Sequence, residues 1–306
     1  MFSKGLSRSA VSVLGFVFAL SICIGFSGNI AIAENPPGFP DLPDECGNNS
    51  EFTTDFLLED CKAFKNKGEN PYFILKPGYQ LVLEGVEEDE EGEETLVREE
   101  VTVLCDTKVI NFNGRRIKTR VVEERALERE SEDEDWKTIE ISQNYIAICE
   151  RTNDVVYFGE FSRDCLDEDG FGENDDCDEV SIVGSWEAGV DGALPGILMP
   201  GTFLLWSKYF QEIAPPDAVD RAEHIAIGVS VDIPELEILR DNCVTVVDTN
   251  PAAGECGDED SKTYCPGIGK VRDAVLELVS YSFVGCDDDD HDKRWKGNWR
   301  YGHWRF

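Results

Sequence analysis

The stretch LVREEVTVLCDTKVINFNGRRIKTRVVEERALE, residues 96–128, decides the fold class. Apolar and β-branched residues alternate with charged ones on both sides of the central Asn113-Gly114 pair. An Asn-Gly pair favours the positive backbone φ angles of a tight turn, and alternation with a period of two is typical of half-buried strands. The stretch therefore predicts a long antiparallel β-hairpin.

The same strand pattern recurs before and after this hairpin. The further alternating or β-branched runs are residues 70–85, 135–149, 154–161, 224–234, 242–250 and 270–284. Charged turns separate neighbouring runs, such as EEDEEGEE at 87–94 and RESEDED at 129–135. The pattern predicts a mainly β protein, built as an antiparallel meander sheet or half-barrel with long disulfide-bearing hairpin loops.

Two segments depart from the strand period. TTDFLLEDCKAFKNKG at 53–68 places Phe56, Cys61 and Phe64 at helical spacing, which predicts one short N-terminal helix ending at Gly68. EAGVDGALPGILMPGTF at 187–203 is rich in Gly and Pro, and it predicts a loop packed across an open end of the sheet.

The N-terminus has the pattern of a secretory signal peptide. Lys4 and Arg8 precede the apolar run VSVLGFVFALSICIGF, and Ala31 and Ala33 form an A-x-A exit. We expect cleavage after Ala33 and a secreted or periplasmic mature chain.

These features divide the chain into four parts. We predict a signal peptide at 1–33, an extended leader with the short helix at 34–69, and a single antiparallel β domain at 70–286. Residues 287–306 form an acidic and then basic-aromatic tail for which no ordered structure is predicted.

The charge of the chain excludes one class of partner. The formal net charge is −35, and it becomes about −37 when the two cations of residues 1–33 are removed. Such a surface repels polyanions, so no nucleic acid is expected to bind the acidic body.

The cysteine content indicates an oxidising compartment. Ten cysteines follow the signal peptide: Cys46, Cys61, Cys105, Cys149, Cys165, Cys177, Cys243, Cys256, Cys265 and Cys286. An even number in an exported chain predicts up to five disulfides. The sequence suggests that Cys46 and Cys61 tie the leader to the helix, and that Cys256 and Cys265 frame an acidic insert.

The densest acidic loop is a candidate calcium site. RDCLDEDGFGENDDCDE at 163–179 contains the candidate ligands Asp167, Asp169, Asp175, Asp176 and Asp178. Carboxylates in a Gly-containing loop suit Ca²⁺, and a disulfide between Cys165 and Cys177 would hold them together. The loop does not follow the EF-hand spacing, so a solvated acidic turn is the alternative interpretation.

The C-terminal tail differs from the rest of the chain. In HDKRWKGNWRYGHWRF, five cations are interleaved with aromatic rings. This composition favours an envelope polymer or a membrane surface as a partner, and the alternative is a tail that folds back on the acidic body.

No motif in the sequence specifies a reaction. Hydrolase elbows, P-loops, dinucleotide fingerprints and H-E-x-x-H are absent. Of the three histidines, only His224 lies in the body, where a packed side chain is the simpler interpretation. The aromatic residues Trp186, Phe203, Trp206, Tyr209 and Phe210 are candidates for an apolar groove or for core.

The sequence therefore favours an exported, non-enzymatic β-domain protein with a binding or envelope-associated structural role. Its small ligand is unknown, and Ca²⁺ is the cofactor that the acidic loop suggests. The alternative is a secreted hydrolase with acidic catalytic residues.

One string of the chain carries a resemblance. Trp186, Gly189, Gly192, Ala193, Pro195, Gly196, Ile197, Met199 and Pro200 form a W-x-A-G-x-x-G-A-x-P-G-I-x-M-P signature. Together with NPYFILKPGYQLVLEG and YCPGIGKV at 264–271, this signature resembles a family of secreted, β-rich bacterial proteins of uncharacterised function. The resemblance covers about residues 70–285 and implies the same fold, but no activity. The acidic loops at 162–179 and 251–263 depart from the family pattern, so their role is this chain's own.

Overall fold

The computed structural model describes residues 49–286, except 57, 90–91, 168, 173, 216–217 and 252–260. The strands are β1 Phe64–Lys65, β2 Gly68–Asn70, β3 Phe73–Leu75, β4 Tyr79–Glu88, β5 Glu94–Phe112, β6 Arg115–Arg129, β7 Lys137–Cys149, β8 Val155–Cys165, β9 Val180–Ser181, β10 Trp186–Glu187, β11 Leu194–Met199, β12 Lys208–Phe210, β13 Glu212–Ile213, β14 Arg221–Ile233, β15 Ile238–Thr249, β16 Ser261–Cys265, β17 Gly269–Asp273 and β18 Leu276–Phe283. Short 3₁₀ turns cover Asn49–Glu51, Leu58–Asp60 and Pro234–Leu236.

Most strands form one large antiparallel sheet. Its order is β12-β14-β15-β16-β17-β18-β4-β5-β6-β7-β8-β11-β13, while β2 and β3 pair separately. The predicted hairpin is its centre: β5 pairs with β6 around Asn113 and Gly114, whose φ angles are 49° and 72°. The predicted mainly β fold is confirmed.

The sheet curves round so that its two end strands, which do not pair with each other, lie next to each other in the chain. β12 and β13 stand at opposite ends of the strand order, yet Gln211 alone separates them in the chain. The backbone N–H groups of Gln211 and Glu212 both donate to the carbonyl of Asp220, which fixes this junction. We call Phe210–Glu212 the seam. The sheet thus forms an open half-barrel with an inner face.

Apolar side chains fill much of that inner face. Leu81, Leu83, Val103 and Val122, from three adjacent strands, belong to one buried cluster, and Cys243 joins it from the far side. Because side chains alternate between faces, every second residue of these strands points inward. Inward positions are therefore where a functional site inside the sheet must be built.

The predicted N-terminal helix is wrong, because none of the described residues forms an α-helix. The segment is extended: after a 3₁₀ turn, Phe64 pairs with Cys149 in β7 and packs edge-on against Phe158. The apolar residues that gave the helical period, Phe56 and Phe64, instead pack against the core of the sheet. Contacts with the sheet outweigh the local pattern here.

The predicted loop at 187–203 is also partly wrong. Leu194–Met199 is the strand β11, which pairs with β8 on one side and β13 on the other. Gly196 permits this pairing, since a Cβ at that position would lie 2.1 Å from the carbonyl oxygen of Gln211. A Gly- and Pro-rich composition hid a strand that joins the seam to the sheet.

Four disulfides brace the structure. They are Cys61–Cys149, Cys105–Cys286, Cys165–Cys177 and Cys243–Cys265. The predicted Cys165–Cys177 bond is present. The suggested tie between Cys46 and Cys61 is wrong, because Cys61 bonds Cys149 in β7. Cys265, which borders the acidic insert, bonds Cys243 in β15. Cys46 and Cys256 themselves lie outside the described residues.

Candidate functional site

The predicted calcium loop is a hairpin tip between β8 and β9. Its disulfide closes the tip, and the Asp167 carboxylate accepts hydrogen bonds from the backbone N–H groups of Asp178, at 2.7 Å, and Glu179, at 3.3 Å. Asp167 thus serves the turn itself.

A second candidate ligand of the tip is engaged by an arginine. Arg125 on β6 donates two hydrogen bonds to the Asp175 carboxylate, at 2.8 Å and 2.9 Å, and one to Glu123 at 2.8 Å. Burial lowers the pKa of Arg125, but its bonds to Asp175 and Glu123 outweigh this effect and raise it. Asp175 anchors the tip to the outer face of the sheet.

The remaining candidate ligands, Asp169, Asp176 and Asp178, are exposed. Among the described residues, the one group of three close metal-binding atoms comprises Cys165, Asp167 and Cys177, and its two sulfurs are bonded to each other. The five aspartates are therefore not gathered round a common point, and calcium binding remains a prediction.

A second and different site lies inside the curved sheet. A cavity of about 180 Å³ is bounded by strands from both halves of the half-barrel and by the seam. Its lining combines an apolar wall with tyrosines, carboxyl groups and two lysines. The lining includes Tyr79, Val103, Val122, Glu124, Asn144, Tyr157, Glu160, Gln211, Glu212, Asp220, Asp248, Lys262, Tyr264 and Lys270.

At one end of the cavity the charges are paired. Lys270 contacts Glu99 at 2.6 Å and Asp273 at 2.8 Å, and Lys262 contacts Asp248 at 2.9 Å. Burial lowers the pKa of Lys270, but the charges of Asp273 and Glu99 more than compensate and raise it. Both lysines are therefore charged, and each is held by carboxylates of this end.

At the other end, carboxyl groups meet one another. Glu160 on β8 and Glu212 on β13 are hydrogen-bonded through their side chains. Glu124 on β6 and Asp220, next to the seam, line the same part of the cavity. We call Glu124, Glu160, Glu212 and Asp220 the acidic end.

Burial changes the chemistry of this pair. It raises the pKa of Glu160 to about 7, although a hydrogen bond with Ser142 lowers it, and the charge of Glu124 adds to the rise. Burial also raises the pKa of Glu212 well above its usual value, and the charges of Asp220 and Glu160 act in the same sense. Two carboxyl groups in contact cannot both ionise cheaply, so the pair holds a proton at neutral pH.

Two amide side chains beside the acidic end have unused hydrogen-bonding groups. Asn144 accepts a hydrogen bond from the Tyr157 hydroxyl, but its own N–H₂ group donates to no described residue. The Gln211 side chain likewise makes no hydrogen bond within the described part of the chain. Asn144 is 5% exposed and Gln211 is 6% exposed. Polar groups this deeply buried normally have partners, so these amides favour a ligand or water in the cavity.

The signature string supports the acidic end. Trp186 pairs with Glu160 in the strand ladder, and its indole lies near Glu212 and lowers the pKa of that carboxyl. Gly159 makes room for this strand, since a Cβ there would lie 2.6 Å from the Trp186 carbonyl oxygen. The string therefore has a structural role in placing the pair.

His224 has the packed role that the sequence favours. It is fully buried, stacks on Phe203 with ring centroids 3.6 Å apart, and contacts Tyr209 and the Leu204 carbonyl through its two ring nitrogens. Burial lowers its pKa to about 4. His291, His303 and the tail lie outside the described residues.

The proposed aromatic groove is not assembled among the described residues. Trp186, Phe203, Tyr209 and Phe210 are buried in the core, whereas Trp206 is 66% exposed. None of the five lines the cavity. They are mainly core residues, which was the alternative interpretation.

The sequence did not point to the acidic end. A weak signal exists for one residue: Glu124 follows Val122 by two residues, and both line the cavity. Glu160 follows the cavity-lining Tyr157 by three residues across a β-bulge, so alternation did not mark it. A carboxylate at an inward position of a predicted strand is informative, but many acids in this chain alternate in the same way. Glu160 and Glu212 could be selected only from the fold, in which β8 and β13 both pair with β11.

The four disulfides indicate an oxidising environment, extracellular or periplasmic. Among the residues that the structure describes, no helix has the length and apolar character needed to cross a membrane. Comparisons of the chain with protein-family models, curated proteins and solved structures find no significant match.

Proposed function

We propose that this is an exported, non-enzymatic protein that binds a small molecule in the cavity of its half-barrel. The observation that carries the proposal is the cavity of about 180 Å³, which is lined by the buried amides of Asn144 and Gln211. The Asn144 N–H₂ group and the Gln211 side chain make no hydrogen bond to the described residues. A packed interior normally leaves neither such space nor such groups.

The size of the cavity suits a small organic molecule. An apolar protein cavity of about 150 Å³ accommodates benzene. The half-barrel cavity is slightly larger, and Tyr79, Tyr157 and Tyr264 offer aromatic walls. We therefore expect a ligand of about five to ten non-hydrogen atoms.

Export is part of the proposal. The predicted signal peptide with cleavage after Ala33 agrees with the disulfides in supporting a secreted or periplasmic protein. The resemblance to secreted bacterial proteins supports the same location. A contribution of the tail to envelope attachment is a separate proposal, and it rests on composition alone.

A hydrolase is the second candidate, and the Glu160–Glu212 contact favours it. Two carboxyl groups that share a proton can serve as general acid and general base. The size of the cavity favours a small substrate over a polymer, because a space of about 180 Å³ holds only a benzene-sized group. A small ester or amide would be the remaining substrate class.

The binding proposal is tested by filling the cavity. Val103 is 3% exposed and lines the cavity, so Val103→Phe places a ring inside it. Val109 on the same strand is 39% exposed, and Val109→Phe is the matched control. The mature protein is screened by thermal shift against n-butylammonium, benzylammonium, 1-butanol, benzyl alcohol and benzoate.

We expect at least one compound to stabilise wild type and Val109→Phe but not Val103→Phe. If no compound stabilises wild type, or if Val103→Phe responds like wild type, the cavity is not a binding site. Turnover of 4-nitrophenyl acetate that Glu160→Gln abolishes would instead favour the hydrolase.

A further inference from the structure

The cavity has strongly unequal ends. One end, which we call the lysine end, contains Lys262 and Lys270. The two lysines form ion pairs with Asp248, Glu99 and Asp273. Among the described residues, no cation forms an ion pair with Glu124, Glu160 or Glu212. The two lysines are therefore engaged at their own end, and Glu160 and Glu212 have no ion-pair partner among the described residues.

The space beside the acidic end is open to a ligand. Asn144 pairs with Glu160 across β7 and β8, and Gln211 precedes Glu212 at the seam. Both amides line the cavity and are more than nine-tenths buried. The Gln211 amide has no side-chain hydrogen bond within the described residues, so it indicates a polar ligand beside Glu212.

We infer that the cavity binds a compact organic cation, with an ammonium group at the acidic end and an apolar body against the tyrosines. An ammonium group has three N–H donors and no acceptor, which matches the carboxylate oxygens of Glu160 and Glu212 and the side-chain oxygen of Gln211. The rings of Tyr79, Tyr157 and Tyr264 supply both apolar surface and favourable contact for a cation. This inference rests on the proposed function and names the class of its ligand.

Cation binding should release protons. Burial and neighbouring charges raise the pKa of Glu160 to about 7 and that of Glu212 well above its usual value. A bound ammonium group stabilises the ionised carboxylates and lowers both pKa values. Affinity should therefore rise with pH, by about tenfold per pH unit for each proton released.

The test compares charged probes with neutral probes of equal size. The affinities of benzylammonium and benzyl alcohol, and of n-butylammonium and 1-butanol, are measured by calorimetry on the mature protein. Measurements in two buffers with different ionisation enthalpies give the number of protons released. We expect each ammonium to bind at least about tenfold more tightly than its alcohol at pH 8, with less difference at pH 5.5.

Substitutions test which carboxylate binds the ammonium group. Glu212→Gln keeps the size and polarity of the side chain, and it should weaken benzylammonium about 30-fold or more and reduce proton release. Glu87→Gln on the exposed end of β4 removes the same charge at a distance and should leave binding within about twofold. Unchanged melting of both variants in the absence of probe would show that folding is intact. If Glu212→Gln does not fold, Glu160→Gln takes its place.

The outcomes distinguish a failure of the cation inference from a failure of the proposed function. If benzyl alcohol or benzoate binds as tightly as benzylammonium, or if neither ammonium binds, the cation inference is wrong. In the first case the cavity is still a binding site, provided that Val103→Phe abolishes the binding. If Val103→Phe changes no probe, the proposed function has failed as well.

Discussion

The tip at 165–177 and the acidic end of the cavity both gather carboxyl groups, but with opposite results. In the tip, Asp167 and Asp175 are satisfied by backbone N–H groups and by Arg125, while three other aspartates face solvent. In the cavity, Glu160 and Glu212 have each other as partners, and Glu212 is buried while Glu160 is partly buried. The density of acids along a sequence thus says little about a site, whereas their burial without counter-charges says much.

The largest effect on stability is expected at the lysine end of the cavity, where buried carboxylates do have a cation as their partner. Lys270→Met would leave Glu99 and Asp273 buried without their cation, which should cost about 3–5 kcal/mol of the free energy of unfolding at pH 7. The measurement is urea denaturation.

Lys65→Met is the matched control for this change. Lys65 contacts Glu150 at 3.6 Å with both side chains about half exposed, so its loss should cost less than about 1 kcal/mol. A cost for Lys270→Met as small as this would mean that the lysine end is well solvated and that the two ends of the cavity do not differ as described.

A second substitution distinguishes the buried acids of the cavity from the exposed acids of the tip, because only the buried acids should make stability depend on pH in this way. The folded protein holds the Glu160 proton up to about pH 7, whereas an unfolded glutamate loses it near 4.5. The unfolded state therefore gains stability relative to the folded state as pH rises from about 4.5 to 7, and the full penalty is present above 7. Glu160→Gln should then stabilise the fold by about 3 kcal/mol at pH 8 and hardly at all at pH 4.

Asp169→Asn in the exposed tip is the control for this pH dependence, and it should change stability by less than about 0.5 kcal/mol at either pH. Denaturant midpoints at pH 4 and pH 8 provide the comparison. A stabilisation by Glu160→Gln that is equal at both pH values would show that the effect has another origin than ionisation.

These contrasts define what the sequence could and could not reveal. The strand period and the Asn113-Gly114 turn predicted the central hairpin, because both signals are local. The helix predicted at 53–68 and the loop predicted at 187–203 were wrong, because Phe64 and Gly196 take their conformations from distant strands. The acidic end could not be predicted for the same reason: Glu160 and Glu212 are brought together only because β8 and β13 both pair with β11.

The disulfide of the tip offers a third test. Replacing both Cys165 and Cys177 by Ser opens a ring that spans a sequence separation of 12, which should cost at most about 3 kcal/mol by loss of chain constraint. The tip should loosen while the cavity is unaffected, since Arg125 and Asp175 lie on the outer face of the sheet. Hydrogen exchange of β8 and β9, measured together with benzylammonium affinity, checks both statements.

A loss of benzylammonium affinity in the Cys165→Ser, Cys177→Ser variant would contradict the separation of the two regions. It would mean that the tip supports β8 strongly enough to move Glu160.

The smallest effect is expected from calcium at the tip. A site with a dissociation constant near 1 mM would stabilise the fold by about 1 kcal/mol at 5 mM Ca²⁺, or a melting shift of roughly 2–4 °C for a domain of this size. Because Asp167 and Asp175 are already bound within the protein, we expect instead equal and smaller rises with Ca²⁺ and Mg²⁺ at matched ionic strength, caused by screening of the net charge of −35. A rise selective for Ca²⁺ that Asp167→Asn with Asp169→Asn removes would establish the calcium interpretation. It would also show that the tip rearranges to release its carboxylates, and the tip would then be a second site rather than the solvated counterpart of the cavity.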